Sequence, residues 1–196
     1  MNASGKNTGL FFGSFNPIHN GHIEIARYML RNEGLDEIWF IVSPQNPLKE
    51  SEKLVNAQQR LEMVKLAALS DPGFRVSDIE FTLPRPSFTY YTLERLSAGF
   101  PGRVFYLIIG SDNLEEFSLW KNHELILKNY KLLVYPRKKE ADILFTEESN
   151  VRITQAPLLN ISSTEIRGLY KTGKNASKLV NPDVHQYIIS HRLYIQ

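Results

Sequence analysis

The chain of 196 residues contains no cysteine, which excludes a disulfide framework, a thiolate metal site and a thiol nucleophile together. It has no apolar run approaching the roughly 18 residues that span a bilayer, and no charged segment followed by an apolar one opens it. A soluble, cytoplasmic protein with no membrane partner is expected. Charge of one sign is scarce as well: 23 Lys and Arg stand against 21 Asp and Glu, a net charge of +2. That is too small and too evenly spread to indicate nucleic acid as a partner. The compact basic run from Arg137 to Lys139 reads as a solvated turn. Internal repeats, low-complexity tracts and Gly/Ser-rich linkers are missing too, so residues 1–196 read as a single domain whose helical last part begins near residue 161. The oligomeric state stays open.

What the chain does have is core material. Hydrophobic residues make up 42% of it, and a chain of this size buries roughly 70% of the surface it exposes when unfolded. Apolar runs of strand length recur at Leu10–Phe12, Glu37–Val42, Phe74–Val76, Arg103–Ile109, Tyr130–Tyr135 and Val151–Ile153. Most are separated by helical patterns. Ile23, Ala26, Met29 and Leu30 share one face, and Leu61, Val64, Leu66, Ala67 and Leu69 form a broader one. Near-continuous hydrophobic strands such as VFYLIIG, alternating with amphipathic helices, predict a parallel sheet covered on both faces. Right-handed crossovers then make this an α/β fold, a Rossmann-like doubly wound parallel sheet. A helical segment follows, with helices near Ser162–Tyr170 and Pro182–His191.

The stretch Gly9–His22, GLFFGSFNPIHNGH, reads as a short strand, a tight turn on Gly13, Asn16 and Pro17, and a helix start flanked by His19 and His22. Residue types alone leave two readings open. Gly13 and Asn16-Pro17 are ordinary turn formers, and the histidines can be simple polar residues near a helix start. The other reading is an anion site. Amides at a helix start attract phosphate, and imidazoles can donate hydrogen bonds to charge developing on a phosphoryl oxygen. Zinc is a weak reading, because the His-x-x-His pair has no third ligand nearby.

Ile161–Arg167, ISSTEIR, is two-sided in the same way. Ser162 and Glu165 have capping-box spacing and can simply start a helix. The same cap exposes amides beside Ser163 and Thr164 and brings Arg167 one turn later, a good triphosphate clamp. Gly110 and Asp112, in IGSD, are either a common turn or a place where glycine admits a ligand and the carboxylate accepts from a ribose hydroxyl. Trp120 is either a core residue or a face for stacking a cationic pyridinium. Neither the glycine-rich dinucleotide fingerprint nor a Walker A loop is present.

GSFNPIHNGH (Gly13–His22) resembles the H-x-G-H signature of the nucleotidylyltransferase superfamily, and ISSTEIR resembles its I-S-S-T-x-I-R signature. PSFTYYTL (Pro86–Leu93), SLWKNHELI (Ser118–Ile126) and SPQNPLK (Ser43–Lys49) are similar to segments of one branch, the bacterial nicotinate-nucleotide adenylyltransferases. Together these stretches cover nearly the whole chain in the expected order. The resemblance implies an enzyme of NAD biosynthesis that joins ATP to nicotinate mononucleotide by direct in-line attack, giving deamido-NAD and pyrophosphate. It implies His19, His22 and Arg167 as catalytic residues. For ATP it implies Gly13, Ser14, Phe15, His19, His22, Gly110, Asp112, Ile161, Ser162, Ser163, Thr164 and Arg167. For the mononucleotide it implies Ser14, Phe15, Lys49, Thr89, Tyr90, Trp120, Lys121 and Arg137, with backbone amides near Thr89 and Lys121 receiving the nicotinate carboxylate. No all-protein metal cage is visible, and Mg2+ is expected to arrive with ATP.

Three departures from the family pattern stand out. Ser14 stands where the family often has Thr, Asn16 where Asp is common, and Leu48 where His usually precedes Lys49. The second removes a carboxylate from the turn, and the third weakens Lys49 as a catalytic candidate. The alternatives to this reading are another acceptor, pantetheine phosphate or nicotinamide mononucleotide, or a silent nucleotide sensor.

Overall fold

The structure, a computed structural model, describes residues 5–45, 54–137 and 150–195. Six strands form one sheet: β1 (Lys6–Gly13), β2 (Glu37–Val42), β3 (Phe74–Ser77), β4 (Arg103–Gly110), β5 (Lys131–Tyr135) and β6 (Val151–Ile153). All neighbouring pairs run parallel, in the order β3-β2-β1-β4-β5-β6. This is the doubly wound, Rossmann-like arrangement expected, and the chain reverses its winding between β1 and β4. Seven α-helices lie among the described residues: α1 (Asn20–Asn32), α2 (Ala57–Ala68), α3 (Thr89–Gly99), α4 (Ser111–Glu115), α5 (His123–Asn129), α6 (Ser163–Lys171) and α7 (Pro182–Ser190). None of them is long and apolar enough to cross a membrane.

Alternation along the strands builds one core on each face of the sheet. Phe11, Phe40 and Ile108 point to the layer that holds α1, α2, α6 and α7. Leu10, Ile41, Leu107 and Ile109 point to the layer that holds α3, α4 and α5. Both faces are covered, which is why the central strands read as continuous hydrophobic runs. A fully buried Leu or Ile is worth about 1.5–3 kcal/mol by area, and Leu10, Ile38, Ile41, Leu107 and Leu132 are all completely buried.

Boundaries differ from the sequence expectation for local reasons. Strand β1 starts four residues early because its polar residues have partners: the Lys6 ammonium donates to Glu37 Oε2 at 2.9 Å and the Thr8 hydroxyl to Glu37 Oε1 at 3.2 Å. Tyr130 ends α5 instead of starting β5, since its N–H donates to the Ile126 carbonyl. Leu69 does not belong to the apolar face of α2. It caps the helix end and is 81% exposed, while Arg60 and Met63 hold buried positions on that face.

Candidate active site

Ligand clefts in doubly wound sheets open at the carboxyl ends of the strands where the winding reverses. Here β1 ends at Gly13 and β4 at Gly110, opposite Val42 and Tyr135 respectively. A cavity of about 360 Å³ opens at this edge, lined among others by Gly13, Ser43, Ser87, Thr89, Gly110, Trp120, Lys121 and Tyr135. A smaller pocket on the other side of Phe11 and Tyr135 is lined by His19, Gly21, His22, Arg137 and Ile161. Phe11 and Tyr135 line both. At Gly110 a Cβ would crowd Asp112 Oδ1 and the Arg137 side chain as they now lie, so glycine lets these side chains approach the strand end in this arrangement.

The two histidines form a close, tilted ring pair. His19 precedes α1 as its N-cap, and its backbone N–H donates to His22 Nδ1 at 3.3 Å. With Nδ1 accepting, the ring proton of His22 sits on Nε2. The two rings lie 3.7 Å apart at 30°. Burial, seconded by the charge of Arg137, brings the His19 pKa down to about 3, so this imidazole is neutral at ordinary pH. Gly21 makes room for it, because a Cβ there would lie 3.0 Å from His19 Nδ1. Arg137 itself donates to the Tyr135 hydroxyl at 3.1 Å and its guanidinium lies over the Tyr135 ring.

The turn before the histidines is gripped from behind by residues far away in sequence. Arg60 Nη1 donates to the Ser14 carbonyl at 2.5 Å, Arg167 Nη1 to the Asn16 carbonyl at 3.0 Å, and the Ser163 hydroxyl to the Pro17 carbonyl at 2.9 Å. Asn16 Oδ1 accepts from the Tyr194 hydroxyl at 2.8 Å and from the Val55 N–H at 3.3 Å. In a planar trans peptide unit C=O and N–H point in opposite directions. With its carbonyls drawn to the protein side, the turn directs the Phe15 and Ile18 amides the other way. Arg60 is 1% exposed and also donates to the carbonyls of Ser43, Pro44 and Val55, tying β2 and α2 to the turn. Burial lowers its pKa.

Beneath the larger cavity, Glu80 is 1% exposed and accepts from the Ser43 hydroxyl at 2.5 Å and the Thr92 hydroxyl at 2.9 Å. Burial pushes its carboxyl pKa up while these hydroxyl donors oppose the shift. The network joins the end of β2 to the first turns of α3. Trp120 packs against the core and also reaches the cavity. Trp39 donates its indole N–H to Glu37 at 2.8 Å, whereas Trp120 Nε1 has no partner among the described residues and its side chain lines the cavity.

The structure thus gathers Gly13, Gly110, Thr89, Trp120 and Lys121 around one cavity, and His19, His22, Arg137 and Ile161 around the other. The remaining candidates among the described residues line neither cavity. The Phe15 ring is buried against Phe11, Phe40 and His22, and the Ser14 carbonyl is held by Arg60, which leaves backbone amides and the Ser14 hydroxyl as what this turn can offer. Tyr90 donates its hydroxyl to Glu94, and Asp112 is exposed, 3.8 Å from Arg137 Nε. Ser162 caps α6 by accepting from the Glu165 N–H, and the Thr164 hydroxyl accepts from Arg167. Lys49 lies outside the described residues. The motifs did not name Tyr135, which lines both cavities, nor Arg60, Glu80 and Tyr194, which hold the turn and the end of β2 from behind. Arg60 had a signal, since it precedes Met63, Val64 and Ala67 by three, four and seven positions, on the apolar face of α2.

The cytidylyltransferase-like family profile matches residues 10–169 of the chain. The chain is 50% identical to the probable nicotinate-nucleotide adenylyltransferase of Cytophaga hutchinsonii, over 95% of its own length and 97% of the relative's. The chain belongs to the nicotinate-nucleotide adenylyltransferase family. A second relative of this family, from Bacteroides fragilis, is 47% identical over 93% of the chain and 90% of its own length. The family fold is seen in a solved structure, the Plasmodium falciparum nicotinic acid mononucleotide adenylyltransferase complexed with NaAD. It matches with a TM-score of 0.80 at 22% identity over 96% of this chain and 97% of that one.

Proposed function

We propose that the protein transfers the adenylyl group of ATP to nicotinate mononucleotide, giving deamido-NAD and pyrophosphate. The observation that carries this reading is the pair of pockets sharing Phe11 and Tyr135: one suits a flat cationic ring beside Trp120, the other holds the imidazole pair. The names of the family's relatives support it. The start of α3 at Thr89, with its amides and positive dipole end, favours a carboxylate over a carboxamide, and hence nicotinate over nicotinamide. A cytoplasmic step of NAD biosynthesis is the setting that fits.

A phosphate oxygen of the mononucleotide attacks the α-phosphorus of ATP as the bond to the β-phosphate breaks in line, and pyrophosphate leaves with the electron pair. The attacking oxygen already carries its charge, so no strong general base is required. Positioning and charge stabilisation supply the rate, as in phosphoryl transfer generally. His22 Nε2–H donates to an α-phosphate oxygen, and neutral His19 backs it. Arg167 and the amides at the start of α6 hold the β- and γ-phosphates, and Arg137, beside Tyr135, faces the acceptor phosphate between the two pockets. Nucleotidyltransferases generally use a divalent metal. Among the described residues no three His, Asp or Glu side chains gather as a cation site, and Asn16 Oδ1 already accepts from two donors. Mg2+ carried by the triphosphate would neutralise charge on the leaving pyrophosphate.

The test is pyrophosphate release with nicotinate and nicotinamide mononucleotides side by side, repeated with His22→Ala. Turnover with the nicotinate form and its loss in a folded His22→Ala protein are expected. Undiminished turnover in that variant, or none with nicotinate mononucleotide, overturns the reading.

A further inference from the structure

We infer that Tyr194 is a positioning residue for the transfer reaction, acting through its hydrogen bond to Asn16. The inference rests on the reading of the turn before His19 as the element that handles phosphate. After α7 the chain twice enters left-handed backbone, at Arg192 (φ 53°) and Tyr194 (φ 65°). Residues with side chains enter this region at a cost, and they stay there only where the surroundings over-determine them. Between the two, Leu193 is buried in the core and its N–H donates to the Ile188 carbonyl at 2.9 Å. This double bend brings the Tyr194 hydroxyl to 2.8 Å from Asn16 Oδ1, across 178 positions of sequence.

The phenol is itself held in place. Its ring stacks on Tyr170 at 6.3 Å, and the Tyr170 hydroxyl is hydrogen-bonded to His185 Nδ1 at 2.8 Å. The position of Tyr194 is therefore set by α6 and α7 together. Burial pushes its pKa up, against the opposing charges of Arg167 and Arg60, so the hydroxyl remains a donor throughout the working range.

Asn16 is the residue in the turn where these restraints meet. Its carbonyl accepts from Arg167 and its side chain from Tyr194 and the Val55 N–H. Without the phenol, the side chain keeps only the longer Val55 bond. Asn16 lies three residues before His19, whose N–H orients His22, so slack at Asn16 passes into the imidazole pair. Misplacement of this kind lowers turnover more than ground-state binding.

The experiment compares the parent protein with Tyr194→Phe, which keeps the ring stack and removes only the hydroxyl. Steady-state kinetics with ATP and nicotinate mononucleotide are run beside amide hydrogen exchange of residues 13–19 without substrates. The expected result is a kcat about tenfold lower, KM values for both substrates within about twofold, faster exchange in 13–19 and unchanged exchange in β4. Asn16→Ala removes the same bond from its other end, and the double variant is expected to be no slower than Asn16→Ala alone. Parent-like kcat and exchange in Tyr194→Phe, or additive losses in the double variant, overturn the inference. If the parent protein forms no deamido-NAD, the proposed function fails, while the exchange measurement still decides the role of Tyr194.

Discussion

Arg167 Nη1 donates to the main-chain carbonyl of Asn16 at 3.0 Å, joining residues 151 positions apart. The same guanidinium bonds the Thr164 hydroxyl through Nη2 at 3.2 Å. The turn before α1 and the start of α6 are thus one mechanical unit. The guanidinium proposed to meet phosphate is thus also a tie that fixes the turn before His19.

Arg167→Lys tests this double role. Lysine keeps the charge but not the planar fork that reaches two acceptors at once. We expect kcat/KM for ATP to fall about a hundredfold, measured by pyrophosphate release, with only a small drop in thermal midpoint. Parent-like kinetics in Arg167→Lys would show that charge alone suffices.

Gly21→Ala separates activity from stability. In the first turn of α1, alanine is the better helix former by up to about 1 kcal/mol. Its Cβ would meet His19 Nδ1 at 3.0 Å and push the imidazole aside. The expected outcome is equal or higher thermal stability with kcat lowered at least about tenfold. Denaturant titration and initial-rate kinetics on the same preparation check it.

The buried His19 makes folding sensitive to acid. Its pKa is about 3 in the folded protein and 6.5 for an ordinary histidine, so between these values the unfolded chain holds the extra proton. Stability from this group is complete above pH 6.5 and is lost as pH falls toward 3, by up to about 5 kcal/mol. Between pH 6.5 and 5 the share is about 2 kcal/mol. His19→Asn should lose this part of the slope, read from urea midpoints at the two pH values.

Trp120 and Lys121 are adjacent but should respond differently. The Lys121 ammonium sits over the rings of Phe88 and Tyr91, at 4.7 and 5.0 Å, so its side chain is committed within the protein. Trp120→Ala is expected to raise KM for the mononucleotide about tenfold or more, consistent with a stacking contact of about 0.5–2 kcal/mol plus lost packing. Lys121→Ala should change it less than about threefold, because its backbone amide remains. A reversed order would move the acceptor contact from the indole to the ammonium.

The residues that were legible beforehand share a local signature. Runs such as VFYLIIG announce buried parallel strands because both faces of those strands are covered, and the GSFNPIHNGH and ISSTEIR stretches announce their turns and caps through short-range spacing. By itself the sequence determined the α/β class, the positions of the strands and the family. The rest depended on partners that spacing cannot reveal. Whether Asn16 is a loose turn residue or the meeting point of Arg167, Tyr194 and Val55 depends on contacts made across as many as 178 positions. Whether Trp120 only packs on the core or also walls the cavity depends on how α3, the end of β4 and the segment after α4 come together in space. Packing alone decided these matters, because a hydrogen bond is satisfied by proximity in space and carries no imprint on neighbouring residues in the chain.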